Sequence, residues 1–401
     1  MSLKQNSTKN FPKWPIYDEE DINALLNVIK SGNWWCGFPG VHEGENVWLF
    51  QEEFAEFQEA KYSIAVSNGT VAIESALVSL DVGLGDEVIV SDYTFVASAS
   101  AIIAANAVPI FCDIHPKTFV MNVDEVEKLI TKRTKAIIPV HLGGNAVEMD
   151  KLMKIASNYN LFVVEDCAHA HGSRYKGKRL GNWGDAGTFS FQASKVLTSG
   201  EGGAIICNSG DLADKIYSYT DCGRKKSTHA YKHFSYGTNY RMTEYQASIL
   251  RTQLKKFPAQ HALRNKNAKY LMEKLNEIDG INVMMPTPGT SEMGWYVFPF
   301  VFDSNKFGGI KKVKFYKILN RKGIPTCDNY PPLHSLDCFK NIMLKKGLNY
   351  SNANWGEEKS IDKNFPIVSD IYSRTVEFPQ ELLLASQEKL DWVVETIESL
   401  K

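Results

Sequence analysis

Four short stretches carry residue types that could do chemistry together. "FSFQASKVLTSGEGG", residues 189–203, sets one lysine, Lys195, among Phe189, Phe191, Thr198, Ser199, Gly200, Gly202 and Gly203. A surface lysine usually has charged company. This one has hydroxyls, rings and room for a ligand, and an amine so placed can attack a carbonyl and later carry a proton. "LFVVED" ends in Glu165-Asp166, which brings a carboxyl group to the tip of an apolar run. "IAVSN" stops at Asn68-Gly69-Thr70, where a strand gives way to a helix. Such a junction offers unpaired N–H groups and the positive end of a helix dipole to an anion. Asn68 and Thr70 read equally well as caps of that helix. "SDYTF" ends another strand with Tyr93 and Phe95, suited either to a core or to covering a flat ring.

A phosphate cradle, an aromatic cover, a carboxyl group and a lysine form a set that pyridoxal phosphate requires. Its aldehyde bonds to a lysine amine, its pyridine nitrogen stays protonated beside a carboxylate, and its phosphate needs an anion site. No other common cofactor uses that set. A metal is the rival use of "EDCAHAHG", since Glu165, Asp166, His169 and His171 are all ligand types. Their spacing follows no established metal pattern, so no metal is expected.

These residues need a scaffold that delivers strand tips to one edge. From about residue 50 to 210, helical and strand patterns alternate: "VWLFQEEFAEFQEA", "YSIAVSN", "GTVAIESALVSL", "EVIVSD" and so on to "LFVVEDC". The strand runs are continuously apolar, as in a mostly parallel sheet covered by helices on both faces. "AGTFSF" and "GGAIICN" read as two further strands forming a hairpin around the lysine loop. Ligands of open α/β sheets sit beyond the carboxyl ends of the strands. After about residue 250 the texture changes to a Lys- and Asn-rich helix, a strand "GWYVFPFVF", a Pro-rich loop and a last helix. The reading is an N-terminal arm (1–40), a large α/β domain (41–260) and a smaller α+β C-terminal domain (261–401).

Bulk properties exclude several partners. Lys plus Arg is 45 and Asp plus Glu is 46, so neither nucleic acid nor a membrane surface is expected as a partner. The longest apolar run, "VASASAIIAANAVPIF", is too short and too rich in alanine and serine to span a bilayer. The opening "MSLKQNSTKNFPKWP" is polar, so no secretory leader is expected. Seven scattered cysteines read as free thiols of a cytoplasmic protein. Sequons at Asn6, Asn68 and Asn349 carry no weight without a secretory route.

The blocks "VSNGTVAIESAL", "GLGDEVIVSDYTFVASASAI", "VVEDCAHAHGSRYKGKRLGNWGDAGTFSFQASKVLTSGEGG" and "NYRMTEYQASILRTQL" resemble the DegT/DnrJ/EryC1/StrS sugar aminotransferases, which are fold-type I pyridoxal phosphate enzymes. The resemblance runs over nearly the whole chain. It implies Lys195 as the lysine that bonds the cofactor and shuttles a proton, and Asp166 as the partner of the pyridine nitrogen. It implies Phe95 on the ring, and Gly69, Thr70 and Ser190 on the phosphate. His169 stands by the phenolic oxygen, where the family often has glutamine. Asn239 matches a residue that reaches the phosphate from the neighbouring subunit, which implies a homodimer with shared sites. "NWWCG", "DCGRKK" and the blocks around them look most like the branch of scyllo-inosose aminotransferases and aminohydroxybenzoate synthases. That branch implies an amino group moved from glutamate or glutamine to a keto-cyclitol or keto-sugar. His171, Arg174, Tyr330 and His334 are the residues expected near the substrate. Asn329-Tyr330 stands where the family has a histidine-tyrosine pair, and Gln380 where relatives often have histidine. The alternatives are a sugar dehydratase, whose branch replaces the lysine with histidine, and a non-catalytic sensor that keeps the fold.

Overall fold

Short apolar runs give the strands of the large unit. They are β1 (Tyr62–Val66), β2 (Glu87–Ser91), β3 (Val108–Cys112), β4 (Thr134–Ile138), β5 (Phe162–Asp166), the two-residue β6 (Arg174–Tyr175) and β7 (Lys178–Arg179), β8 (Ala186–Ser190) and β9 (Gly203–Cys207). The computed structural model describes residues 11–37, 45–226, 232–346 and 364–401. Sequons Asn6 and Asn349 lie outside the described residues, as do residues 1–10 and 38–40 of the expected arm.

One seven-stranded sheet has the order β1-β9-β8-β5-β4-β2-β3. Its neighbours pair in parallel from β8 to β3, and β9 alone runs against the rest. β8 and β9 pair from Ala186↔Cys207 to Ser190↔Gly203, so the loop carrying Lys195 closes a hairpin. The helices around this sheet are α1 (Glu19–Ser31), α2 (Asn46–Gln58), α3 (Gly69–Ser79), α4 (Ala97–Ala104), α5 (Val123–Leu129), α6 (Met149–Tyr159) and α7 (Gly210–Thr220). α1 lies within the expected arm. Asp18 and Asp21 form a capping box at its start, a pattern that fixes a helix N-terminus.

A single helix, α8 (Glu244–Asn276), then runs for 33 residues. Thr243 and Gln246 make its capping box. Residue 260, the expected domain boundary, falls inside this helix. Beyond it come β10 (Ile281–Val283), β11 (Thr290–Glu292), β12 (Val297–Phe302) and β13 (Thr375–Pro379), with α9 (Lys312–Arg321), α10 (Asp337–Lys346), α11 (Pro366–Arg374) and α12 (Gln387–Glu398). β10, β12 and β13 form an antiparallel sheet, and β11 joins β6 and β7 in another. The architecture is α/β, with a mostly parallel sheet and a smaller α+β unit.

Alternation along the strands decides what reaches the ligand edge. Side chains on a strand point to opposite faces in turn. On β8, Phe189 packs edge-on against Phe54 of α2 (5.1 Å), while Thr188 and Ser190 face the other way. Phe191 and Phe50 extend that aromatic cluster on the α2 side, at 5.3 and 5.4 Å. On β5, Glu165 and Asp166 part company in the same manner. Glu165 is fully buried and accepts backbone N–H bonds from Gly181 (2.8 Å), Trp183 (2.7 Å) and Gly184 (2.8 Å). His141 Nε2 lies 3.1 Å from the same carboxyl group, and Val147 N–H donates to His141 Nδ1. The ring proton therefore sits on Nε2 and points at Glu165.

Glu165 is thus the anchor of the 181–184 turn. Glu165→Ala should leave one buried and two partly buried N–H groups and one imidazole without an acceptor. A loss of about 3–5 kcal/mol is expected, read as a lower midpoint in chemical denaturation of the full chain.

Candidate active site

The strand tips open into a cleft of about 830 Å³. Its walls include Gly69, Thr70, Phe95, Ser98, Asp166, His169, Ser190, Lys195, Tyr296 and Tyr330. A second hollow of about 820 Å³, beside Tyr217, Tyr219 and Phe234, gathers no comparable set of reactive groups.

Helix α3 starts at the cleft floor. The Asn68 side chain accepts from Val71 N–H (3.1 Å) and its carbonyl from Ala72 N–H (3.2 Å). The N–H groups of Gly69 and Thr70 come before the first helical bond, so the helix has no acceptor for them. Asn68, the one sequon among the described residues, serves as the cap, and beside it the N–H groups of Gly69 and Thr70 stay outside the helix's own bonding. The approach of α3 to β8 depends on a missing side chain. A Cβ on Gly69 would lie 2.7 Å from Ser190 Cβ.

Asp166 enters from the tip of β5. Ser98 Oγ donates to its Oδ2 (2.7 Å), and Ala168 N–H donates to its Oδ1 (3.1 Å). Thr94 Oγ1 is 3.0 Å from Ser98 Oγ. The Ser98 proton goes to Asp166, so Thr94 donates to Ser98 and the chain of hydroxyls ends on the carboxyl group. Two fixed donors thus aim Asp166 into the cleft.

Lys195 is buried, and burial pushes its pKa down to about 7 against the upward pull of Asp166. Near neutral pH a large part of it is the free amine, which is the nucleophilic form. His169 is also buried, and burial, followed by the Lys195 charge, holds it well below the usual histidine range. Gly143 N–H donates to its Nδ1 (3.2 Å), so the neutral ring carries its proton on Nε2, 3.5 Å from the Tyr330 hydroxyl. Phe95 stands half exposed at the mouth, with its ring 5.6 Å from that of Tyr330.

Three residues expected near the substrate do not reach this cleft. His171 packs against Phe189 and Phe191 at 5.4 and 5.6 Å, on the face opposite Ser190. Burial pushes its pKa down to about 3. The Ser190 backbone pulls slightly upward, yet neither ring nitrogen attains hydrogen-bond geometry with a described residue. Arg174, on β6, donates to Glu59 Oε2 (3.1 Å) and to the Gly177 carbonyl (3.0 Å). Its acidic neighbour Glu59 holds it at the sheet rim. His334 is buried against Asp92, donating its backbone N–H to Oδ1 (2.9 Å) with its ring Nδ1 on Oδ2. Asn239 is exposed, bridged to Asp221 and absent from the lining of this chain's cleft, although Ser67 N–H donates to the carbonyl of the next residue, Tyr240 (2.8 Å).

The four suspected metal ligands do not converge either, because Glu165 and Asp166 face opposite ways. His141, Glu165 and Cys167 do lie close together. There, however, the Glu165 oxygens meet three N–H groups and a ring proton, and burial raises the Cys167 thiol well above its usual range. That is a satisfied structural cluster.

Sequence reasoning passed over Tyr296 and Ser98. Ser98 sat inside a helix pattern, "TFVASASA". Tyr296 sat in "GWYVFPFVF", which announces a strand and nothing of where its first residues point.

The observed groups fit pyridoxal phosphate: two open N–H groups at a helix start, a carboxyl group fixed by donors, and a buried amine facing one space. Comparison with known proteins agrees. The family model described as the DegT/DnrJ/EryC1/StrS aminotransferase family matches residues 15–396. An L-glutamine:2-deoxy-scyllo-inosose aminotransferase from Streptoalloteichus tenebrarius is 36% identical over 342 residues, 82% of this chain and 80% of that protein. The 3-amino-5-hydroxybenzoate synthase of Amycolatopsis mediterranei is 38% identical over 281 residues, 70% and 71% of the two chains. The crystal structure of a 3-amino-5-hydroxybenzoic acid synthase superposes with a TM-score of 0.87 at 31% identity, over 98% of each chain. That of an aminotransferase from Psychrobacter cryohalolentis gives 0.84 at 29%, over 97% of this chain and 98% of that one.

Gly69→Ala tests the cradle. The added methyl must push α3 away from Ser190. We expect pyridoxal phosphate to bind at least about tenfold more weakly, as for about 1.4 kcal/mol of lost contact, in a fluorescence titration of cofactor-free protein.

Proposed function

The chain belongs to the DegT/DnrJ/EryC1/StrS aminotransferase family and is a pyridoxal-phosphate-dependent transaminase, and on that premise we propose that it moves an amino group from glutamine or glutamate to a keto-cyclitol or keto-sugar. The observation that carries the proposal is the meeting of Lys195, Asp166 and the open first turn of α3 in one cleft. The substrate class rests on the likeness to the deoxy-scyllo-inosose aminotransferase and the aminohydroxybenzoate synthase. Among the described residues that line the cleft, Lys195 is the only lysine or arginine. Tyr296, Tyr330, Gln192 and Ser194 supply rings, hydroxyls and an amide. That wall offers a polyhydroxy ketone hydrogen-bond partners and flat surfaces.

Pyridoxal phosphate supplies a carbonyl that takes up and returns an amino group, on a ring that withdraws electrons from the adjacent carbon. In our reading Gly69, Thr70 and Ser190 hold its phosphate. Asp166, braced by Ser98 and Ala168, keeps a proton on the pyridine nitrogen. Phe95 covers the ring. His169 would present its Nε2 proton to the cofactor, in the tautomer that the Gly143 bond chooses. Lys195 would act as the amine nucleophile and, in each half-reaction, carry a proton between the substrate carbon that bears the nitrogen and the cofactor's carbonyl carbon. Its depressed pKa supports both duties, because each begins from the neutral amine.

The same reading makes the protein a cytoplasmic homodimer with shared sites. Its cysteines form no disulfide, and among the described residues no helix is long and apolar enough to cross a membrane. Asn239 is available to a neighbour's phosphate because it is exposed outside its own cleft.

The direct test incubates the pyridoxamine-phosphate form with keto-cyclitols, keto-sugars and their phosphorylated or nucleotide-linked derivatives, and reads the new amine by mass spectrometry. Lys195→Ala should abolish turnover and the cofactor mass fixed to the chain by borohydride, with the fold intact. Asp166→Asn should still bind cofactor but turn over at least about a hundredfold more slowly. For the shared site, Lys195→Ala chains are mixed with Asn239→Asp chains. Each protein alone should be nearly inactive, whereas a mixed dimer has one intact site and recovers up to about half the activity. Proven exchange without recovery would remove Asn239 from the site.

A further inference from the structure

Tyr296 reaches the cleft from a segment that is held down tightly. Asn265 of α8 donates to the Met293 carbonyl (3.0 Å) and accepts from Met293 N–H (3.0 Å) and from the Trp295 indole (3.2 Å). Gly294 N–H donates to Ser173 Oγ (2.8 Å). A Cβ on Gly294 would come within 2.3 Å of the His169 carbonyl oxygen, so the segment lies flat against the His169 loop. Trp295 takes a left-handed φ of 52° to turn the next side chain inward, a conformation that is costly for a bulky residue.

The Tyr296 side chain then touches four groups, its hydroxyl lying also against that of Tyr330. One face lies against His169, with ring centres 4.1 Å apart. The Lys195 Nζ stands 3.9 Å from the ring centre. The hydroxyl lies 2.9 Å from Ser194 Oγ, whose own proton goes to Gln192 Oε1 at 2.6 Å. Tyr296 is therefore the donor to Ser194. Its proton is committed there, and what it offers Lys195 is the electron-rich face of the ring.

We propose that Tyr296 is a positioning residue that holds the Lys195 amine, by its ring face, during the half of the cycle when that amine is not bonded to the cofactor. The proposal rests on the transaminase reading, because there the lysine must leave the cofactor, wait through a half-reaction, and return. A cation over a tyrosine face is stabilised relative to the neutral amine. Tyr296 so favours the ammonium form, against the burial that disfavours it. The other titratable groups around Lys195 are Asp166 at the tip of β5, His169 on its loop, His171 behind β8, Tyr330, and Glu201 at the cleft edge.

The test follows the protonation of Lys195 itself. Competitive acetylation across a pH series, read by mass spectrometry on the Lys195 peptide, gives the midpoint at which the amine becomes reactive. It is measured on the full chain with pyridoxamine phosphate bound, and again after the cofactor is stripped. Tyr296→Phe should leave the midpoint near that of the parent. Tyr296→Leu should lower it by about half a unit to one unit, which is ~3- to 10-fold less ammonium at a given pH. Pentafluorophenylalanine at position 296 keeps the ring's shape and weakens its negative face, so it should lower the midpoint as leucine does. The proposal is overturned if both lowering variants match the parent, or if Tyr296→Phe moves as far as they do, since the Ser194 bond would then be the active contact. The midpoint is read without any keto substrate. An empty result in the substrate panel therefore counts against the proposed substrate class and leaves this measurement standing.

Discussion

A buried amine is the constraint around which this molecule is arranged. Taking the Lys195 ammonium out of water disfavours its charge, and the Asp166 carboxylate pulls the other way. A flexible loop would let the side chain escape to solvent. The β8–β9 hairpin prevents that by tethering both ends of the loop within a paired ladder. Phe191, just ahead of the loop, inserts into the aromatic cluster on α2 and fixes the exit of β8. Trp14, from the N-terminal part of the chain, donates its indole N–H to the Ala193 carbonyl and ties the loop from outside. The reactivity of one nitrogen is thereby set by backbone pairing and packing as much as by its polar neighbours.

Alternation then sorts the polar residues. Adjacent carboxyl groups, Glu165 and Asp166, have opposite employments because a strand turns successive side chains to opposite faces. Glu165 organises a turn behind the sheet, and Asp166 faces the cleft. Ser190 and Phe189 divide in the same way, and His171 follows Phe189 into the interior. A histidine two positions from a cleft residue can thus belong wholly to the core.

This bears on what could be read in the sequence. The strand order of types, the lysine hairpin, the helix start at Gly69 and the Asp166 tip were all legible, because each is a local pattern of apolar runs, glycines and caps. Sheet faces were legible in principle too, since the period of two in "VVED" and "TFSF" separates Glu165 from Asp166 and Phe189 from Ser190. Partners distant in sequence were not. Arg174 meets Glu59, and His334 meets Asp92, across separations of 115 and 242 residues. No local pattern announces such pairings, so both residues looked available for a substrate. Tyr296 was hidden for the same reason. Its approach to Lys195 depends on Asn265, Ser173 and a left-handed Trp295.

Helix α8 joins these distant pieces. At 33 residues it is about 50 Å long. Near its start Gln246 bonds the Glu201 carbonyl at the cleft edge, and further along Gln253 bonds the Ile16 carbonyl. Asn265 then grips the Tyr296 segment, and Asn267 donates to the carbonyls of Leu383 and Ala385. One rod therefore carries contacts belonging to the large sheet, the N-terminal region and the small unit. For anyone dissecting the chain, the natural joints are not where its composition changes. A cut through the middle of α8 would separate the reactive amine from the tyrosine that faces it, and a minimal fragment that keeps this chemistry has to carry the rod whole.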